Sequence, residues 1–309
     1  MDVLSFFLAA SMRMSIPLLI AALGLIISER AGMMNIGGEG IMLTGAFCAY
    51  AVTKITGNYW LGLLFAMLMG MVTILIYAYS SITLHVRQVV TGAGLNMFCS
   101  GITSFLYRRI FRGATALSQG VTVESFPTIS LTGLSDIPYL GPLLFKHNIF
   151  IYFGLVMVFV LWFILFKTSL GLKIIAVGEN PKATESFGVR VVWLRYGATL
   201  FSGLMLGIAG AYLSIAQSNS FGEGMTAGRG FIAMAVVILG KWNPVGALLG
   251  ALLFGAASSL QMTIQNLGLD ISNNLIMTIP YICTVLAVIA VCRNKIVAPS
   301  ALGIPYRKS

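Results

Sequence analysis

Nine apolar stretches recur along the chain, at 13–28, 36–52, 59–84, 89–107, 148–166, 195–216, 230–240, 245–262 and 274–292. A helix crosses the hydrocarbon core of a bilayer with roughly 20 apolar residues, and most of these stretches reach or approach that length. Lipid offers no water to satisfy the backbone, so each crossing segment must close its own N–H and C=O groups as a helix. The pattern predicts an all-α fold, a polytopic integral membrane helical bundle of about 8–10 spans, some broken or re-entrant. All of it belongs to a single transmembrane domain, residues 1–309. The run at 230–240 is short for a full span and is followed by Asn243-Pro244, as a half-helix or part of a broken one would be.

Composition excludes the soluble alternatives. Only 9% of residues are charged and 58% are hydrophobic, where a soluble domain carries about a quarter charged residues to face water. The net charge of +10 comes from 19 Lys and Arg against 9 Asp and Glu. These basic residues stand at the ends of apolar runs, as in cytoplasmic loops beside anionic lipid, so nucleic acid is not expected as a partner. Cys48, Cys99, Cys283 and Cys292 lie in or beside apolar segments without a CxxC pair and read as small hydrophobes. His85 and His147 are too far apart in sequence for a local metal motif. GxxxxGK[ST], GxSxG and HExxH are all missing, so the chain lacks a phosphate loop and any catalytic constellation. No cofactor or enzymatic activity is expected, and energy for any work must come from a partner.

The first apolar run ends at Ser28-Glu29-Arg30, which is no cleavage site for a signal peptide, so it is expected to remain as the first span. Orientation follows from the basic loops. Lys167, Lys173, Lys182, Arg190 and Arg195, around the loop 168–194, and Arg293, Lys295, Arg307 and Lys308 in the tail 293–309 place both segments in the cytoplasm. The connection 113–147, with Glu124, Asp136 and only Lys146 as a fixed positive charge, belongs outside. Arg108, Arg109 and Arg112 conflict with this, since they then fall on the outer side. Nine full spans would put the N-terminus outside, and a re-entrant N-terminal segment would move it inside. Gly203 with Gly207, Gly246 with Gly250, and Ala66 with Gly70 are small-residue pairs at four-residue spacing, which let helix backbones approach closely.

Chemistry concentrates in a few places. From Ser28 to Gly40 the chain sets Glu29, Arg30, Asn35, Glu39 and four glycines between two apolar runs with almost no polar linker. Ionisable groups at membrane depth line a water-filled path or pair with one another, and glycines there permit a broken helix. An ordinary interfacial turn with an ion pair is the alternative. Asn96 is an amide at membrane depth, able to contact a solute or to make an interhelical hydrogen bond. From Phe221 to Phe231, Glu223 and Arg229 flank a glycine-rich turn; a phosphate-loop reading of Gly222-x-Gly224 lacks its βαβ context. This stretch reads as an outer broken helix facing a path, with Arg229 orienting Glu223, or as a structural turn with a salt bridge.

The segment from Ala176 to Lys182 would run extended up to Pro181, with Asn180 as helix cap and Pro181 at the first helical position. A short amphipathic helix would follow and stop at Gly188.

These motifs, in this order, resemble the permeases of the branched-chain amino acid and simple-sugar ABC importer superfamily, with the nucleoside permeases as the nearest branch. The likeness is carried by Ser28-Glu29-Arg30-Ala31-Gly32, Asn35-Ile36-Gly37 and Glu39-Gly40, then by Ser135-Asp136-Ile137-Pro138 and Ala176-Val177-Gly178-Glu179-Asn180-Pro181-Lys182-Ala183. It continues through Gly222-Glu223-Gly224 to Phe231, Trp242-Asn243-Pro244-Val245-Gly246 and the tail Ala301-Leu302-Gly303-Ile304-Pro305-Tyr306. The resemblance implies a bacterial plasma-membrane protein, multi-pass, that pairs with a second permease subunit in a heterodimer, or with itself, and with two cytoplasmic ATPase subunits. An extracytoplasmic solute-binding protein would deliver a small polar solute, a nucleoside or a related sugar, with simple sugars or branched-chain amino acids as the alternative cargo. It implies that Gly178, Glu179, Asn180, Pro181, Lys182, Ala183 and Gly188 form the coupling element docked on the ATPase. Glu29, Asn35, Glu39, Asn96, Glu223 and Arg229 are the candidate residues of the substrate pathway. The rival class is a secondary transporter driven by an ion gradient, in which Glu29 or Glu39 would carry the coupling ion.

Overall fold

A computed structural model describes residues 3–111, 126–130, 146–266, 278, 282 and 298–306. The expected last span, 274–292, and most of the connection 113–147 therefore lie outside the described residues, as does Arg112. So do Cys283 and Cys292 and the motif from Ser135 to Pro138.

The described chain is built from helices. In order they are α1 (Val3–Arg30), α2 (Gly38–Thr56), α3 (Tyr59–Ala78), α4 (Gln88–Ile110), α5 (Ile149–Lys167), α6 (Ser169–Glu179), α7 (Pro181–Ser186), α8 (Val191–Ala211), α9 (Arg229–Leu239) and α10 (Pro244–Asn266). The helices α3 and α8 each run on into a π-helical turn, Tyr79–Thr83 and Tyr212–Gln217. Within the described residues six helices are long and apolar enough to span a membrane, including Phe7–Arg30, Val191–Gln217 and Pro244–Gln265. The 11-residue α9 reaches only part-way across, which bears out the short segment expected there. One feature was not legible in advance: β1 (Thr128–Ser130) pairs antiparallel with β2 (Lys146–Asn148), Ile129 opposite His147.

Burial sorts the helices into a centre and a periphery. The spanning windows of α1 and α8 are 89% and 83% buried, whereas that of α4 is 22% buried and keeps Met97, Phe98 and Phe105 exposed. The central packing depends on small residues, because lipid supplies no hydrophobic drive between helices and close backbone contact must replace it. A Cβ on Gly70 would collide with the carbonyl oxygen of Gly203, and one on Gly207 with that of Ala66. The two small-residue pairs noted in the sequence thus face each other across the α3–α8 crossing. The third pair sits at the α9–α10 joint, where Gly246 abuts Gly240 and Gly250 lies against Val236.

The bundle has two distinct ends. At one, the end of α1 meets α6, the end of α9 and the tail. There Arg30 donates to the Trp242 carbonyl at 3.0 Å, and Ala301 N donates to the Gly178 carbonyl at 2.8 Å. At the other, the Tyr212 hydroxyl donates to the Arg13 carbonyl at 3.0 Å, and Asn148 reaches the Ala216 carbonyl at 3.2 Å. Arg108 and Arg109, at the end of α4, belong to this second end. The first is called the knob end below and the second the far end.

Candidate translocation and coupling site

The knob is the pair α6–α7. Thr168 caps α6 by accepting from Gly171 N at 3.3 Å. The sequence reading had an extended segment here, but Ser169–Glu179 is helical. Gly171, Ile174, Val177 and Gly178 recur at helical spacing and turn one buried face toward the bundle, and that periodicity overrides the pull of Pro181 toward extended backbone. Only Asn180 itself is extended, at φ −145° and ψ 91°, and its side chain accepts from Ala183 N at 3.1 Å, with Pro181 opening α7. Gly188, at φ +80°, ends the turn as expected. Lys182, Ala183 and Phe187 face solvent, Phe187 with 87% of its surface open. An exposed aromatic at the tip of a polar helix is costly in water and marks a contact surface; sequence reasoning passed over it because it follows a charged stretch. Gly178 is buried, and a Cβ there would collide with the Arg30 carbonyl, so the knob rests directly on the end of α1.

The tail straps this knob to the bundle. Glu179 accepts from Ser300 N at 3.3 Å and from its hydroxyl at 2.8 Å. The Tyr306 hydroxyl donates to Glu185 on α7. Burial first, and then the neighbouring Glu185 carboxylate, push the Tyr306 hydroxyl up to about 12, so it remains a donor throughout the physiological range. Arg195, 2% exposed at the start of α8, donates to the Ile304 carbonyl at 3.4 Å and lies 5.7 Å from the Tyr306 ring centre. Gly303 N donates to the Gly32 carbonyl at 3.3 Å, which brings the strap to the break between α1 and α2.

Four predicted pathway residues converge on that break. Glu29, 2% exposed, accepts from the Trp242 indole at 2.6 Å, and Arg30 donates to the Trp242 carbonyl, so the two charges clamp the end of α9 rather than each other. Asn96 bridges the break by donating to the Ile36 carbonyl at 2.9 Å and accepting from Gly40 N at 2.8 Å. Glu39, in the first turn of α2, accepts from Gly228 N at 2.8 Å and Gly230 N at 2.7 Å, the opening amides of α9. Two helix N-termini thus share one carboxylate, the favourable sign for both dipoles. A Cβ on Gly230 would sit 2.5 Å from Glu39 Cα, so α9 docks here only with glycine. Asn35 is fully buried beside these residues, and among the described residues its amide finds no hydrogen-bond partner.

Glu223 lies apart, at the far end. It binds Arg108 in two places, Nε to Oε1 at 2.7 Å and Nη2 to Oε2 at 2.8 Å. That hydrogen bond holds its carboxyl below the ordinary value of 4.5. Arg229 does not orient it, as the sequence reading had supposed; its guanidinium turns back to the carbonyls of Met225 at 2.9 Å and Thr226 at 3.5 Å. The reason is reach: Arg229 opens α9 deep in the bundle, while Glu223 sits in the loop above. The ion pair also answers the charge conflict around Arg108, whose positive charge is matched locally. Gly101, Ser104, Phe105, Arg108, Arg109 and Glu223 line a cleft of about 420 Å³ along the exposed face of α4. Behind it Phe47 packs edge to face on Phe221, centred 5.4 Å apart, and Tyr50 does so on Phe111, with Tyr107 tilted against Phe221.

The family model for the branched-chain amino acid transport system, permease component, matches residues 7–288. The chain belongs to that family. Among its relatives, the guanosine ABC transporter permease protein NupQ of Bacillus subtilis is 37% identical, over 99% of this chain and 98% of that protein. The putative glucose ABC transporter permease protein TsgC13 of Haloferax volcanii is 36% identical over 97% of both chains. The nucleoside ABC transporter permease protein NupC of Lactococcus lactis is 34% identical over 96% of this chain and 94% of that one. The protein is therefore a multi-pass plasma-membrane permease of the ABC importer type. The same three organisms each also contain a permease protein 26% identical to this chain, which covers 76%, 65% and 67% of those relatives.

Proposed function

We propose that this permease carries nucleosides into the cell as one of two unlike permease subunits, with separate ATPase subunits docked on the knob and an extracytoplasmic binding protein delivering solute at the far end. The knob end is then cytoplasmic. The chain performs no covalent chemistry; ATP hydrolysis belongs to the partner. The observation that carries the reading is the strap. Asn180, Pro181 and Gly188 shape a stiff exposed knob, Gly178 seats it on Arg30, and the tail ties it through Gly303 and Gly32 to the break where α2 and α9 share Glu39. A push on the knob reaches the helices that open and close a path without passing through a loose loop.

The far-end cleft supports the solute class. Its volume falls within the usual range for small-molecule sites, Arg108, Ser104 and Glu223 supply hydrogen-bond partners for a sugar's hydroxyls, and Phe105 offers a ring to a base. The second, more distant relatives in the same organisms support an unlike pair. The heterodimer leaves each subunit with its own half of the passage.

The deciding experiment is ATP-dependent uptake of radiolabelled purine nucleosides by the assembled complex, challenged with unlabelled glucose. Nucleoside uptake that glucose does not compete, and that is lost when Asn180–Ala183 becomes a Gly/Ser linker, supports the reading. Uptake of glucose instead would overturn the solute, and gradient-driven uptake without an ATPase would overturn the mechanism.

A further inference from the structure

An open groove of about 340 Å³ lies between α1, α5, α6 and α8 near the knob end, lined by Ile27, Leu161, Ile164, Ile174, Leu194 and Phe201 among other apolar residues and by no charged or polar side chain. Its position along each helix places it just inside the membrane. Ile27 lies one turn before the end of α1, and Leu194 one turn after the start of α8. From Leu194 to Phe201 the groove follows α8 for about 10 Å, at 1.5 Å per residue. The groove is open at Gly197, where a Cβ would meet nothing within 4 Å.

The rim has a different character. Lys167 lies 5.8 Å from the ring centre of Trp162, and exposed Lys173 immediately precedes Ile174 of the groove wall. Trp193, 74% exposed, immediately precedes Leu194. The helix α6 shows Leu170 and Leu172 to the surroundings at 55% and 68% exposure, beside Lys173, which is how an amphipathic helix sits in a membrane interface. Among the described residues neither lysine makes an ion pair. Tryptophan and lysine at headgroup depth, above an apolar slot running into the hydrocarbon, match one kind of molecule at both ends.

We infer that this groove is a binding site for an anionic phospholipid, one acyl chain lying against Gly197 and the headgroup phosphate held between Lys167 and Lys173. The lipid belongs to the leaflet on the knob side, which rests on the proposed cytoplasmic placement of α6 and α7. It packs α5, α6 and α8 together at the base of the knob, so the knob's stiffness depends on the surrounding lipid.

The test is native mass spectrometry of the intact transporter complex after exchange into equal amounts of phosphatidylglycerol and phosphatidylcholine. The wild type should retain phosphatidylglycerol roughly tenfold over phosphatidylcholine, since two lysines near an anionic headgroup each add to its retention. The double variant Lys167→Gln with Lys173→Gln should bring the two to parity, the Lys167→Arg and Lys173→Arg pair should restore the preference, and Gly197→Phe should abolish retention of either lipid. Equal retention by wild type and all variants would mean unspecific boundary lipid and would overturn the site. So would a cross-link from position 197 to another protein subunit in place of lipid. Retention is read without any solute and without regard to sidedness, so an error in the transported class or the orientation would leave this result standing, and its failure would leave the uptake result standing.

Discussion

The indole of Trp242 donates to the carboxylate of Glu29 at 2.6 Å across 213 residues of sequence, and it joins the end of α9 to the end of α1. Lys241 and Trp242 hold positive φ values of 54° and 53° to make the turn into α10, a conformation that needs outside support for side chains of this size. Glu29 and Arg30 supply it from two sides.

Trp242→Phe keeps an aromatic ring, though a smaller one, and leaves Glu29 buried without its donor. We expect a loss of about 1–3 kcal/mol of stability, the range for an orphaned buried acceptor, seen as a lower melting temperature in detergent. Glu29→Gln keeps an acceptor oxygen for the indole and should lose less. Equal loss from both would argue that the hydrogen bond matters little.

Glu39→Ala removes the carboxylate that accepts from Gly228 N and Gly230 N at the start of α9. The Gly228 and Gly230 amides are then left unpaired at the meeting of two helix N-termini. Uptake should fall at least tenfold while ATPase subunits still co-purify, because the knob is untouched. Retained uptake would exclude α9 from the moving parts.

The Arg108–Glu223 pair is exposed and should matter for function rather than stability. Glu223→Gln should leave the melting temperature within error of the wild type and alter the apparent affinity for solute. The carboxyl is held below 4.5 in the folded protein, so the pair is present above that range and is lost as pH falls through the lowered value. Uptake that depends on it should be flat from neutral pH down to the ordinary carboxyl value of 4.5 and fall only below it. A decline already at pH 6 would point to another group.

Tyr306→Phe cuts the bond from the tail to Glu185 while sparing the ring beside Arg195. ATP hydrolysis by the complex should persist while solute moved per ATP falls severalfold. A parallel loss of both would make the tail a folding element and not a strap.

Much of this was legible in the residues themselves. Apolar runs fixed the helices because backbone in lipid has no other partner, and the small-residue pairs at Gly203–Gly207 and Ala66–Gly70 announced a close crossing because nothing larger fits. Asn180, Pro181 and Gly188 announced the knob, since cap, first-turn proline and left-handed glycine are local chemistry. The partners of Glu29, Glu39, Asn96 and Glu223 were decided only by tertiary structure. Each is reached from another helix or loop far along the chain, from Trp242, from Gly228 and Gly230, from Gly40 and from Arg108, and no local periodicity encodes which distant amide or guanidinium will arrive. The strap from Ser300 to Tyr306 belongs with these: its motif is visible in the sequence, but its residues acquire a role only where folding brings Gly178, Gly32 and Arg195 beneath them.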